Sequence, residues 1–191
     1  MPDMYFTMLP LILAGIANML FTKTGFYRSH RVPIDGGRLF RDGKRIFGDN
    51  KTRIGFVFMI LFYMLFQILF GMVSHLAGLD IHCDLYHTHD NTFVFNLLFG
   101  FLAGFVYMIC ELPNSFIKRR LGIRDGKTAK GGKGVLFFII DQIDSLIGVM
   151  FLVYLFSDIT FGKYVLYVCL GGITHILINA VLYGMKVRKN I

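Results

Sequence analysis

Apolar residues run through this chain in five long stretches, and polar residues are confined to the segments between them. The stretches are Met4 to Thr22, Ile54 to Gly78, Asn91 to Leu112, Gly134 to Ser157 and Tyr164 to Gly184. Roughly 20 residues of helix, rising about 1.5 Å each, cross the ~30 Å hydrocarbon core of a bilayer. Each stretch is long enough to do so. The pattern predicts an all-α integral membrane protein with five transmembrane helices forming one domain. The first stretch lacks the basic leading region and small-residue cleavage site of a signal peptide, so it reads as a retained helix.

Composition agrees. Hydrophobic residues make up 55% of the chain and charged residues only 17%, against about 25% charged in an ordinary soluble domain. The mean hydropathy is +0.60. Lys and Arg number 0, 9, 0, 7, 1 and 3 in successive polar segments from the N-terminal tail to the C-terminal tail. This alternation predicts that the two richly basic segments, Lys23 to Arg53 and Pro113 to Lys133, are cytoplasmic loops. The N-terminus is then outside and the C-terminus, with Lys186, Arg188 and Lys189, in the cytoplasm of a cell-membrane protein. The net charge of +8 falls almost wholly on that face, where it attracts anionic headgroups. No reading module or aromatic-interleaved basic stripe points to nucleic acid. The three cysteines form no disulfide framework: Cys110 and Cys169 read as packing residues, and Cys83 has no evident partner.

A basic surface for lipid does not require the other residues in these loops. Asp35-Gly36-Gly37-Arg38, Asp42-Gly43-Lys44-Arg45 and Gly48-Asp49-Asn50-Lys51-Thr52 crowd into the first loop. Glycines let backbone N–H groups approach an anion, and Lys or Arg adds charge-assisted bonds. Lys51 and Thr52 stand just ahead of the second span, where free N–H groups favour phosphate. Asp35, Asp42 and Asp49 are candidates to hold Mg²⁺ or meet a base or ribose, while a single Asp-Gly is otherwise an ordinary turn pair. The spacing is not that of a P-loop, nor is it the signature of CDP-alcohol phosphotransferases, since Ala-Arg does not follow Gly43. The second loop brings Asn114, Lys118, Arg119 and Arg120, then Lys130-Gly131-Gly132-Lys133-Gly134. Arg-Asp-Gly-Lys occurs in both loops, at Arg41 to Lys44 and Arg124 to Lys127, and so short an echo implies no repeat.

Two acids, Asp141 and Asp144, fall inside the fourth span. A charge at bilayer depth costs about 2.5–3.5 kcal/mol or more. At i and i+3 the pair shares a helix face and repels unless a cation lies between or one acid is protonated. A helix starting near Gly134 puts Asp141 about 10 Å along it, suited to a cavity open to the cytoplasm. The alternatives are a buried polar contact to the basic loops or to Asn179, and a proton or ion pathway. Asn18, Glu111 and Asn179 also fall toward the cytoplasmic ends, so the polar groups gather in the inner half. A transporter would spread them through the whole depth, and an adaptor binding only lipid would ignore nucleotide. His75 and His175 read as helix-to-helix hydrogen bonds. His82, His87 and His89 crowd the outer loop without a firm metal-ligand spacing and read as solvated.

On these residues the chain resembles the CDP-archaeol synthases, the archaeal-type CTP:lipid-phosphate cytidylyltransferases. The resemblance lies in PIDGGRLFRDGKRIFGDNKT (33–52), NSFIKRRLGI (114–123), GGKG (131–134) and DQIDS (141–145). These also share Lys-Arg, glycine and Asp-x-x-Asp elements with the wider phosphatidate cytidylyltransferase group. Against the longer members of that group, Gly-Gly-Lys-Gly stands for His-Gly-Gly and Gln142 replaces an Arg. The resemblance implies five helices, cytoplasmic binding of CTP and Mg²⁺, and transfer of CMP to a lipid phosphate with release of pyrophosphate. Asp141 and Asp144 match the metal-holding acids. Lys118 and Arg119 match the basic pair near the phosphates. Asp35 to Arg38 and Gly48 to Thr52 match the loop over the nucleotide, with Asp42, Gly43, Lys44, Asn114 and Lys133 as further binding residues. The lipid's chains, isoprenoid ether or fatty acyl, are equally apolar and leave no distinguishing mark.

Overall fold

The computed structural model describes residues 2–125 and 131–184. Lys127, Lys130, Lys186, Arg188 and Lys189 lie outside the described residues, as does the side chain of Lys133. Five helices are long and apolar enough to cross a membrane: α1 (Pro2–Phe21), α3 (Arg53–Ala77), α4 (Phe93–Arg120), α5 (Gly132–Leu155) and α6 (Phe161–Gly184). A short helix, α2 (Gly25–Ser29), starts the first polar loop, and two 3-10 turns, Asp80–His82 and Asp84–His87, fill the segment between α3 and α4. The protein is a multi-pass, all-helical membrane protein.

Local chemistry sets the helix ends. Thr52 caps α3 by accepting from the Gly55 N–H at 3.2 Å, and Thr92 caps α4 by accepting from the Phe95 N–H at 3.2 Å. Gly78 closes α3 at φ +67°, a left-handed position that glycine takes without strain. One boundary departs from expectation. The third span does not end at Leu112 but runs through Pro113 to Arg120, so Lys118, Arg119 and Arg120 are helical rather than looped. Proline removes only one intrahelical bond, and Asn114 and Lys118 fasten the last two turns of α4 to α5.

Helices pack in a chain: α1 on α3, α3 on α4, α4 on α5 and α5 on α6. Small residues permit the close approach, as membrane helices require. A Cβ on Gly100 would lie 2.8 Å from the Met64 Cα, and one on Gly104 would lie 2.7 Å from the Ile60 Cα. Gly148 likewise packs α5 against Cys110 and Val106 of α4. α1 and α6 close the sequence loosely and flank an apolar groove lined by Leu11, Ile12, Gly15, Leu146 and Ile178.

The end opposite the basic loops, expected to be a solvated loop, is held by polar contacts. Asp84, 1% exposed, accepts from Tyr167 Oη at 2.5 Å and Lys163 Nζ at 2.8 Å. His82 pairs with Asp3 at 2.8 Å, His75 with Asp80 at 3.2 Å and His87 with Asp158 at 3.7 Å. His75, in the last turn of α3, therefore pairs with the 3-10 turn that follows it. Cys83 is fully buried, and burial pushes its thiol up to about 11. Polar groups are not confined to the basic end. Gln67 donates to Asn96 at 3.0 Å and Tyr86 Oη donates to the same oxygen at 2.8 Å; these groups satisfy one another between α3 and α4.

Candidate active site at the α4–α5 mouth

Glu111, Asn114 and Lys118 recur at i, i+3 and i+7 and so share one face of α4. The face meets Asp141 and Asp144 on α5. Asn114 Nδ2 donates to Asp141 Oδ1 at 2.6 Å and to Asp144 Oδ2 at 2.8 Å. Lys118 Nζ pairs with both oxygens of Asp141, 2.5 Å from Oδ2. Ser145 N–H donates to Asp144 Oδ1 at 2.7 Å. Asp141 is exposed at the helix mouth and Asp144 is half-buried one turn deeper, so the pair grades from water into the bilayer. Asn179 bonds Gln142 Oε1 at 2.8 Å, so the polar contact of the acids is with Lys118 of the basic segment and not with Asn179.

The first loop reaches into this site through Lys51. Its ammonium forms an ion pair with Glu111 and feels Asp144 and Asp141 beyond it. Burial alone would push the Lys51 ammonium down; the three carboxylates outweigh burial and hold its pKa above the ordinary value. Glu111 was legible only as a polar residue near a helix end. Its pairing with a loop residue 60 positions away has no local signal.

The rest of the loop is a scaffold built on Asp35. Its Oδ1 accepts from Arg45 Nη2 at 2.6 Å and the Gly37 N–H at 3.0 Å, and its Oδ2 accepts from the Phe47 and Gly48 N–H groups, both at 3.0 Å. Burial opposes this carboxylate's charge, yet Arg45 and the three N–H groups hold its pKa well below the usual range. The guanidinium of Arg45 is pushed up in turn by Asp35 and Asp49. Asp42 pairs with Arg120 at 2.9 Å, and Lys44 Nζ donates to the Arg120 carbonyl at 2.6 Å. The Arg120 guanidinium also lies 4.5 Å from the Phe116 ring and 5.0 Å from the Phe40 ring, beside the edge-on contact of the two rings. Thr52 is spent on capping α3 and on Tyr27 Oη at 2.9 Å. Gly36, Gly37 and Gly43 carry positive φ at exposed turns, and Arg38 is exposed beside them.

Asp125, which the sequence shows only as part of the Arg-Asp-Gly-Lys echo, joins the two loops. It pairs with Arg119 at 3.3 Å and accepts from the Asp49 N–H at 3.1 Å. Gly48 sits at φ +95°, and a Cβ there would run into the Asp125 carboxylate. Among the expected site residues, the structure gathers Lys51, Asn114, Lys118, Asp141 and Asp144 around one mouth. It places Asp35, Asp42, Asp49 and Thr52 in the framework that presents them. Among the described residues, no three His, Cys, Asp or Glu side chains converge as a metal cluster, the outer histidines included.

Comparison with known proteins decides the family. The family model described as CarS-like, CDP-archaeol synthase, matches residues 3–191. The chain belongs to the CDP-archaeol synthase family. A CDP-archaeol synthase of Methanospirillum hungatei is 32% identical over 83% of this chain and 88% of its own. Another, from Archaeoglobus fulgidus, is 32% identical over 82% of both chains. A solved structure of an intramembrane enzyme for archaeal membrane lipids biosynthesis shares the fold, with a TM-score of 0.65 at 23% identity over 92% of both chains. Family membership gives the transporter reading no support.

Proposed function

We propose that this CDP-archaeol synthase family member condenses CTP with a membrane lipid phosphate, giving a CDP-lipid and pyrophosphate. The observation that carries the reading is the convergence of Asp141 and Asp144 with Asn114 and Lys118 where α4 and α5 meet the basic loops. The site is proposed to face the cytoplasm of the cell membrane, because the basic loops flank it and CTP is a cytoplasmic solute.

The donor set fits a hard divalent cation. Two carboxylates and a buried amide supply only oxygen ligands, the preference of Mg²⁺. Asp141 and Asp144 would hold it, and it would neutralise charge developing on the triphosphate. The protein's own groups do the rest. The attacking lipid phosphate is already anionic near pH 7, so no strong general base is needed. Lys118 directs two N–H bonds at Asp141 and has a third for a phosphate oxygen. Lys51, tied to Glu111, sets a second positive charge beside the acids. Arg119, fixed through Asp125, and Arg38 and Lys44 on the first loop face the triphosphate. The N–H groups of Gly36, Gly37, Gly43 and Gly48 bond within the loop, so its phosphate contacts are assigned to side chains. Asp42 and Asp49 hold that loop's shape through Arg120 and Arg45, and Lys133, in the first turn of α5, is assigned to nucleotide by resemblance. Catalysis here is positioning and charge neutralisation.

The groove between α1 and α6 is lined by Ser145, the neighbour of Asp144. We assign it to the lipid chains, with the phosphate directed at the acid pair. The relatives' name points to isoprenoid ether chains. Purified protein with CTP, Mg²⁺ and a panel of isoprenoid-ether and diacyl lipid phosphates should release pyrophosphate, fastest with the ether lipids. Asp144→Asn should abolish turnover while the protein still folds. Turnover close to normal in that variant removes the metal role.

A further inference from the structure

Asn114 is 8% exposed, and both of its N–H bonds are spent on the acid pair. Its carbonyl oxygen is buried with no hydrogen-bond partner among the described residues. A buried acceptor left so is destabilising. The amide cannot simply be reversed in this state, because its oxygen would then face two carboxylates. A cation between those carboxylates inverts the balance. An N–H directed at a cation is repelled, while an amide oxygen is an ordinary ligand for a hard cation. A half-turn about the Cβ–Cγ bond exchanges the two ends.

No third His, Cys, Asp or Glu completes the acid pair among the described residues, and Glu111 is engaged by Lys51. We infer that Asn114 is the third protein ligand of the divalent cation: its Nδ2 stands in for the ion between Asp141 and Asp144, and its Oδ1 turns to the ion when it binds. This rests on the proposed metal-dependent activity and assigns Asn114 a role separate from nucleotide contact. It makes the site's stability without metal and its affinity for metal properties of one side chain.

The test uses the whole purified protein in detergent with Mn²⁺ as the probe. Water molecules bound to the ion are counted by ¹⁷O electron–nuclear double resonance, and affinity is read by titration. In Asn114→Ala the count rises by one and affinity falls about tenfold, the low end of what losing a supporting metal-site partner costs. In Asn114→Asp the count equals that of the wild type, because one oxygen ligand replaces another. If the amide is only a hydrogen-bond donor, the count is unchanged in the alanine variant and falls by one in the aspartate variant. Either of those results overturns the inference, so it stands or falls even if one variant fails to fold. Mn²⁺ affinity that is the same in Asp144→Asn as in wild type overturns the metal reading itself, and this inference with it. Affinity that depends on Asp144, with an unchanged count in Asn114→Ala, overturns this inference alone.

Discussion

Lys51 of the first polar loop and Glu111 of α4 form an ion pair beside Asp144 and Asp141. Three carboxylates and the ammonium groups of Lys51 and Lys118 therefore share one mouth, and the site carries a deficit of positive charge. That deficit is what a divalent cation would correct.

Removing Lys51 should be costly in two ways. Lys51→Met leaves Glu111 partly buried and unpaired, a change of about 3–5 kcal/mol when one partner of a buried pair is lost. Glu111→Gln added to it should restore about 1–3 kcal/mol of stability through coupling while activity stays low. The folded pKa of Lys51 is raised. Its stabilisation is therefore fully present below the unfolded value of about 10.4 and is lost as pH rises through the folded value. Thermal unfolding of the variants in detergent from pH 8 to 11 checks this; a wild-type alkaline limb identical to that of Lys51→Met would contradict it.

Asp35 gives the opposite sign. Its folded pKa is depressed, so its contribution is complete above the unfolded value of about 3.9 and disappears as pH falls through the folded value. Asp35→Asn should lower stability by about 2–4 kcal/mol at neutral pH, since Arg45 loses its buried partner, and should flatten the acid limb below about pH 4. Its effect on turnover should follow the loss of loop order, so CTP KM should rise more than kcat falls. An unchanged acid limb would show that Asp35 does not hold the loop.

Gly48→Ala tests the seam between the loops. The substitution combines positive-φ strain, of order 1–3 kcal/mol, with a collision against Asp125. CTP affinity should fall about tenfold or more, since 1.4 kcal/mol is one decade. Asp125→Ala in the same chain should recover only the part due to the collision. Full recovery of nucleotide binding would mean that backbone strain at Gly48 plays no part.

The far end should separate stability from catalysis. Asp84→Ala leaves Lys163 and the buried Tyr167 hydroxyl without their partner, at about 3–5 kcal/mol. Thermal stability should drop sharply, while turnover per folded molecule at low temperature should stay within about twofold, because Asp84 touches no residue of the mouth. A large fall in kcat with normal stability would connect the outer end to the chemistry.

Five spans, the placement of charge and the acid pair on α5 were all legible in the sequence, because each follows from local rules. Apolar length against bilayer thickness sets a span, and i, i+3 spacing puts Asp141 and Asp144 on one face. Folding alone decided what those acids meet. Proline and a basic cluster marked the end of the third span, yet contacts to α5 carry α4 on to Arg120. Asp35, Asp42 and Thr52 looked like ligands because a carboxylate or hydroxyl beside glycine suits phosphate chemistry and a tight turn equally well. Only the paths of the backbone assign them to Arg45, Arg120 and the cap of α3. Glu111 with Lys51, and Asp125 with Arg119 and Asp49, are partnerships across dozens of residues. Sequence spacing carries no information about them; helix packing and loop closure bring them together.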